Sequence, residues 1–249
     1  PAFSSGGTAD AITGLTYSDV RSVYKKYYTP ANSLICVSGN QDIHRTLSLL
    51  SSYLKGYSHE APDIAWNYAA AKPQNPIQSY NVTKKTTAVD IGFLYSGSPV
   101  TEIRASYARE VLMALIQKRL GASYPDLYNV GGSTGGISNL AIIISNVAAD
   151  KKNEVISGFE SVLTSLKRDG IGIDELNAAI EQVESSKNNY KVTEISDLAL
   201  DGFVYGGNPF LFLNRSMDFQ YLKDNPSYFK EILGRYFINN QYKSIVISG

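Results

Sequence analysis

The chain has 249 residues, of which 43% are hydrophobic and 18% are charged, a balance typical of a globular protein with an ordinary core. Its 23 basic and 23 acidic residues give a formal net charge of zero, which excludes the basic footprint of a nucleic-acid-binding domain. A membrane-spanning helix needs about 18 or more consecutive apolar residues, and the sequence contains no such run. We therefore expect neither nucleic acid nor membrane among the partners.

The first part of the chain predicts a helix followed by a strand. Thr16 and Asp19 form a capping-box pattern that starts the helix, and Pro30 ends it. The apolar residues 34–37 predict a buried strand, so the single cysteine, Cys36, is expected to be a buried and unreactive thiol. Because no intramolecular disulfide can form, we expect an intracellular location, in the cytoplasm or an organelle matrix.

A second helix and a change of pattern follow. Asp42 predicts the N-cap of this helix. Residues 59–76 contain three prolines and show no regular apolar spacing, which predicts an interdomain linker. Alternating apolar residues in 89–95 then predict a strand, and the glycine-rich segment 129–138 predicts a turn. The other predicted elements are a helix at 102–120, a strand around 142–144, helices at 153–168 and 174–191, a last helix that starts at Asn225, and a strand in 243–249.

The two ends of the chain resemble each other. Residues 15–39 and 225–249 align without gaps, which pairs Ile35 with Ile245 and Gly39 with Gly249. Each copy predicts a helix, a break and a strand that ends in Ser-Gly. A repeat with so long a period indicates two homologous domains in tandem, with the first copy starting inside its domain. The alternative is that two unrelated helix–strand units are alike by chance.

The segment FSSGGTADAITGLTYSDVRSVYKKYYTPANSLICVSGN, residues 3–40, resembles the end of the first domain of the pitrilysin/insulin-degrading zinc peptidases. The Gly6-Gly7 pair that precedes the helix and the motif YYTPAN are similar to the presequence-protease and falcilysin-like branch. The downstream order of elements is similar to the second domain of this family. The residues that carry the resemblance of the segment are Thr16, Tyr27, Tyr28, Pro30, Asn32 and Gly39.

The resemblance implies an α/β (α+β) fold, a two-layer sandwich of a mostly antiparallel sheet with helices on one face. Residues 1–58 would be the C-terminal part of a first domain, and residues 77–249 a second, homologous and non-catalytic domain. The whole enzyme would be a zinc metalloendopeptidase that degrades peptides in a closed chamber, with this chain as chamber wall. Its partners would be peptide substrates and the remaining domains of the same polypeptide.

The zinc chemistry of this family needs residues that the chain lacks. A helical His-x-x-Glu-His motif binds Zn²⁺ and activates water, and this motif does not occur here. We therefore expect Zn²⁺ in the full-length enzyme, none bound by this chain, and no activity of the chain alone. The alternative is a non-catalytic relative that acts as a scaffold or a peptide-binding subunit, such as a core subunit of a respiratory complex.

The resemblance also implies a substrate exosite at Val130, Gly131 and Gly132. The segment LYNVGGSTGGISNLAIIISNV is similar to the place where a glycine pair on a sheet edge of insulin-degrading enzymes anchors the N-terminal end of the substrate. Small residues leave a strand edge open, so an extended peptide can add to it through backbone hydrogen bonds.

Two other motifs are weaker candidates. In HEAPD, which starts at His59, Asp63 replaces the second histidine of a zincin motif, and Pro62 prevents the helix that would align the ligands. GGSTG, residues 131–135, matches a nucleophile elbow around Ser133. That elbow requires a following helix, whereas strand-like residues follow here. A serine hydrolase that uses Ser133 is thus a third, disfavoured class, for which we expect no labelling by a fluorophosphonate.

Overall fold

The computed structural model divides the chain into two compact units, Pro1–Tyr68 and Ala69–Gly249. It describes residues 9–37, 39–58, 60, 77–80, 88–96, 102–124, 130–135, 139–188, 192–206, 208–213, 215–241 and 243–248. The predicted linker, 59–76, therefore lies outside the described residues except for Glu60. Within the described residues, every helix is too short or too polar to cross a membrane.

The described residues of the first unit form helices α1 (Ala9–Thr13), α2 (Tyr17–Tyr27) and α3 (Ile43–Leu54). The predicted capping box of α2 is confirmed. The backbone N–H of Asp19 donates to Oγ1 of Thr16 at 3.2 Å, and the backbone N–H of Thr16 donates to Oδ2 of Asp19 at 2.9 Å. These bonds satisfy N–H groups that the first helical turn leaves without partners.

The predicted strand at residues 34–37 is wrong. The backbone there has no strand structure, and Cys36 is exposed rather than buried. A strand needs a neighbouring strand to bond its N–H and C=O groups, and no described residue of the first unit is in a strand. The first copy of the predicted repeat is therefore a helix and a break without the strand.

The second unit contains a five-stranded sheet with the order β1-β5-β2-β4-β3. The β1–β5 pair is parallel, and the three other pairs are antiparallel. Part of the predicted glycine-rich turn is in fact strand β3, because β4 provides a backbone partner for it. The strands are β1 (Ile77–Tyr80), β2 (Ala88–Ser96), β3 (Val130–Gly135), β4 (Asn139–Ala148) and β5 (Ser244–Ser248).

Helices supply the second layer of this unit. Three of them correspond to the helices predicted at 102–120, 153–168 and 174–191, whereas α7 and α8 were not predicted. The last helix starts three residues after Asn225 and continues into a π-helical turn, Gly234–Ile238. The helices are α4 (Ile103–Ser123), α5 (Lys152–Asp169), α6 (Ile173–Asn188), α7 (Val192–Gly206), α8 (Arg215–Asp224) and α9 (Tyr228–Leu233).

The helices cover one face of the sheet. Alternate residues of β2, namely Ile91, Phe93 and Tyr95, are buried, and the ring of Phe93 stacks on Phe159 of α5 with 3.8 Å between centroids. On the opposite face, Leu94 remains 38% exposed. The period of two along a strand places these sets on opposite sides. The predicted two-layer fold, with a mostly antiparallel sheet and helices on one face, is confirmed.

Helix α4 is the centre of the helical layer, since it contacts α5, α6, α8 and α9 as well as β3. A charged pair joins it to α6, where Nη2 of Arg119 lies 2.8 Å from Oε2 of Glu175 and Nε lies 3.2 Å from Oε1. This two-point contact fixes the geometry of both side chains. Its hydrogen bonds lower the pKa of Glu175 and raise the pKa of Arg119.

Candidate peptide-binding edge

The predicted exosite residues lie at an edge of the sheet. Val130, Gly131 and Gly132 are the first residues of β3, which pairs with β4 on one side. Because β3 is the last strand in the sheet order, no other described strand pairs with its second side. A strand side without a partner among the described strands is the kind of edge to which an extended peptide can add. That these residues bind a peptide stays a prediction.

A row of small and apolar residues crosses the sheet face that lies opposite the buried side chains of Ile91, Phe93 and Tyr95, beside this edge. Gly131 pairs with Ile143, Ile143 pairs with Gly92, and Gly92 pairs with Val246. A Cβ atom added to Gly92 would lie 3.8 Å from the carbonyl oxygen of Val246 and 4.0 Å from its Cβ, both ordinary contacts. Space therefore does not require glycine at position 92, and its cross-strand neighbour Ile143 is 42% exposed.

A β-bulge bends the sheet at one end of this face. The register between β2 and β4 shifts between Val89 and Ile91, and Asn146 adopts a positive φ of 61°. The backbone N–H of Asn146 donates to Oδ1 of Asp90 at 3.0 Å. Asparagine tolerates this left-handed conformation better than most residues, and the carboxylate of Asp90 satisfies the N–H group that the bulge removes from the ladder.

The structure gives no support to the two weaker motifs. Ser133 lies inside β3 and pairs with Ala141, so it is not at the turn from a strand to a helix that a nucleophile elbow requires. His59 lies outside the described residues. Among the residues that are described, no group of three or more His, Cys, Asp and Glu side chains is placed to hold a metal ion. These residues therefore do not fit a zinc centre.

The sequence patterns did not indicate a polar cluster near the start of α4. Glu102 accepts a hydrogen bond from Oη of Tyr236 at 2.8 Å and one from Nη1 of Arg235 at 3.3 Å. Burial and the bond to Glu102 raise the pKa of Tyr236 to about 12. Arg109, only 4% exposed, lies over the Tyr236 ring. The position of Arg109 among the mostly apolar residues of 105–116 is the signal that could have revealed this cluster.

The fold and the candidate site together define a two-layer α+β domain whose described residues form an open sheet edge and no metal centre. Residues 14–183 match the family model of the peptidase M16 inactive domain, and this match covers more than half of the chain. The chain therefore belongs to the peptidase M16 family, as the resemblance to insulin-degrading peptidases implied.

Known relatives are longer than this chain. Protein HypA of Clostridium perfringens (strain 13 / Type A) is 25% identical over 276 aligned residues, which cover 98% of the chain and 28% of HypA. The periplasmic protease PqqL from Escherichia coli matches the fold with a TM-score of 0.74 at 13% identity, over 96% of the chain and 28% of PqqL. A chain of complex III2 from Candida albicans matches with a TM-score of 0.71 at 15% identity, over 98% of the chain and 61% of that chain.

Proposed function

We propose that the chain is a non-catalytic segment of a zinc-dependent M16 endopeptidase that degrades peptides in a closed chamber. The sheet face on which Ile143 is exposed forms part of the chamber wall, and the edge of β3 at Val130, Gly131 and Gly132 is a substrate exosite. The observation that supports this function most strongly is the position of the glycine pair at the end of the sheet.

The composition of β3 supports peptide addition. Proteins usually protect an edge strand with charged residues or proline, and the sequence of β3, VGGSTG, contains neither. Backbone hydrogen bonds to this edge would hold peptides of many sequences. Gly131 has no Cβ atom. A peptide residue paired with Gly131 would therefore have space for a bulky side chain.

We assign the zinc and the catalytic residues to another part of the complete polypeptide, since the chain lacks the His-x-x-Glu-His motif. We assign residues 1–58 to the C-terminal part of a first domain and residues 77–249 to a second, homologous domain. The exposed apolar side chains of Val23 on α2 and Leu47 on α3 support this division, because such faces normally pack against another element. The presequence-protease and falcilysin-like branch, and an intracellular location, belong to the same proposal.

A matched pair of glycine variants tests the exosite. The probe is a fluorescent extended peptide of alternating valine and lysine, added to the full chain. Gly131→Leu fills the space next to the edge and is expected to weaken binding about tenfold, which corresponds to about 1.4 kcal/mol. Gly121→Leu is the control, because Gly121 is exposed on α4 and a Cβ atom there contacts nothing within 4 Å. Equal affinities of the two variants would refute the exosite.

A second candidate function is that of a scaffold or peptide-binding subunit without peptidase activity. The fold match to a chain of complex III2 from Candida albicans supports it. The complete polypeptide that carries this chain distinguishes the two functions. Peptide cleavage that a chelator abolishes and Zn²⁺ restores would support the peptidase, whereas peptide binding without cleavage at saturating Zn²⁺ would support the scaffold.

A further inference from the structure

Ile143 is an exposed isoleucine that has a glycine as its cross-strand partner on both sides. It pairs with Gly131 of β3 and with Gly92 of β2. Its side chain is 42% exposed, whereas its chain neighbours Ile142 and Ile144 are 0% exposed on the covered face. Paired residues normally cover each other's side chains, and glycine has no side chain that could do so. The two partners of Ile143 therefore leave its aliphatic side chain uncovered.

Neither space nor backbone conformation requires glycine at position 92. A Cβ atom there would make only ordinary contacts, and the φ angle of Gly92 lies outside the left-handed region. The ladder between β2 and β4 is regular from Ile91 to Ser96, so Gly92 is not part of the bulge. Glycine weakens the interior of a strand, and away from bulges and bends it often marks a place that a ligand or another backbone approaches closely.

The register determines which side chain of an added peptide would point toward Ile143. Directly paired residues of neighbouring strands have their side chains on the same face. A peptide residue paired with Gly131 therefore points to the face of Ile143, and the next peptide residue points to the covered face. Two strand spacings, about 9.5 Å, separate the Cα atom of the first peptide residue from that of Ile143. On this face, Gly131 lies between them and has no side chain.

An aromatic side chain suits this gap. Aromatic side chains reach beyond their direct cross-strand partner and pair favourably with β-branched residues, and an aromatic residue beside a strand glycine compensates for its missing side chain. A ring over Gly131 would meet Ile143, whereas the side chains of alanine and valine are too short to reach it. A long charged side chain would bring its head group against an aliphatic surface, which costs hydration.

We propose that Ile143 determines the side-chain preference of the β3 edge, and that the preferred ligand is an extended peptide with an aromatic residue paired with Gly131. The ring covers Gly131 and packs on Ile143. This inference rests on the proposed addition of a peptide to β3 and deepens it, because backbone hydrogen bonds supply affinity and the ring supplies selectivity.

Two peptides that differ at one position test the proposal. The first is the valine–lysine peptide of the exosite assay, and the second has phenylalanine in place of its central valine. The full chain should bind the phenylalanine peptide about three- to fivefold more tightly. Equal affinities would overturn the proposal and leave the exosite standing, whereas a chain that binds neither peptide would overturn both.

A matched pair of isoleucine variants assigns the preference to Ile143. Ile143→Thr should remove the preference for phenylalanine, because threonine is shorter and its hydroxyl group needs water. Ile173→Thr is the control, since Ile173 is 52% exposed and starts α6, which packs on α4 and α8. This control should keep the preference. An Ile143→Thr chain that prefers phenylalanine as strongly as the wild type would overturn the proposal.

A nuclear magnetic resonance measurement locates the ring without a variant. The isoleucine methyl groups of the wild-type chain are labelled, and the phenylalanine peptide is added to saturation. Its ring protons should give nuclear Overhauser effects to the δ1 methyl group of Ile143 and none to those of Ile142 and Ile144, which are buried on the covered face. The absence of an effect to Ile143 would overturn the proposal.

Discussion

Two neighbouring isoleucines of β4 test which face of the sheet is covered. Ile144 is 0% exposed and Ile143 is 42% exposed, and successive residues of a strand point to opposite faces. The substitutions Ile144→Thr and Ile143→Thr remove the same atoms from the same strand and keep the β-branched shape that strands favour. Any difference between them therefore reports the burial of each face.

The expected difference follows from the buried atoms. Ile144→Thr removes about two carbon groups from the core, which is about 1.6 kcal/mol of transfer free energy. It also buries a hydroxyl group without an acceptor, at about 1 to 3 kcal/mol. We expect a total loss of about 3 to 5 kcal/mol in the free energy of unfolding for Ile144→Thr. For Ile143→Thr we expect less than about 1 kcal/mol, because the hydroxyl group there meets water.

Urea unfolding of the full chain, followed by circular dichroism, measures both losses. At about 2 to 4 °C per kcal/mol, Ile144→Thr should also lower the Tm by about 6 to 20 °C. Equal losses for the two variants would refute the assignment of a covered and an open face. The proposed chamber wall would then have no structural basis.

Three further predictions concern the framework of the second unit. The hydrogen bond from Arg119 lowers the folded-state pKa of Glu175. The pair therefore contributes about 1 kcal/mol to the free energy of unfolding at a pH above the unfolded pKa of about 4.3. This contribution is lost as the pH falls through the folded-state pKa. Urea unfolding between pH 7 and pH 3 should therefore show a smaller acid loss for Glu175→Gln than for the wild type, and parallel curves would contradict the pairing. Asn146→Val should lose about 1 to 2 kcal/mol, because a β-branched residue disfavours the positive φ of 61°, whereas Asn146→Gly should be nearly neutral; equal stabilities would argue against the bulge. Gly202→Ala should lower the Tm, because its Cβ would lie 2.5 Å from the backbone oxygen of Asn208, and an unchanged Tm would show that this close approach is absent.

Local chemistry made part of the fold predictable. The capping box of Thr16 and Asp19 depends only on residues three apart, and the alternation in β2 reports one buried face directly. The strand predicted at 34–37 failed because a strand depends on a partner elsewhere in the chain. For the same reason the glycine-rich segment predicts a turn where β3 forms, since glycine disfavours strands and only pairing with β4 overrides that preference.

The candidate site was predictable by resemblance and not by pattern. Gly131 could be placed on a sheet edge only because a known family has glycines there, whereas the edge position itself requires the order of all five strands. Arg109 and Tyr236 are 127 residues apart in the sequence, and no local signal predicts that the ring covers the guanidinium. Arg109, Glu102 and Tyr236 come together only when α4 packs beside the π-helical turn.

The central claim is that β3 receives an extended peptide as an added strand. The most direct measurement is the affinity of the full chain for a series of valine–lysine peptides, each with one backbone amide N-methylated. The account predicts that methylation weakens binding at every second position of the bound segment, because alternate N–H groups of a strand face its neighbour. A loss without this period of two, or a wild-type chain that does not bind the unmodified peptide, would contradict it.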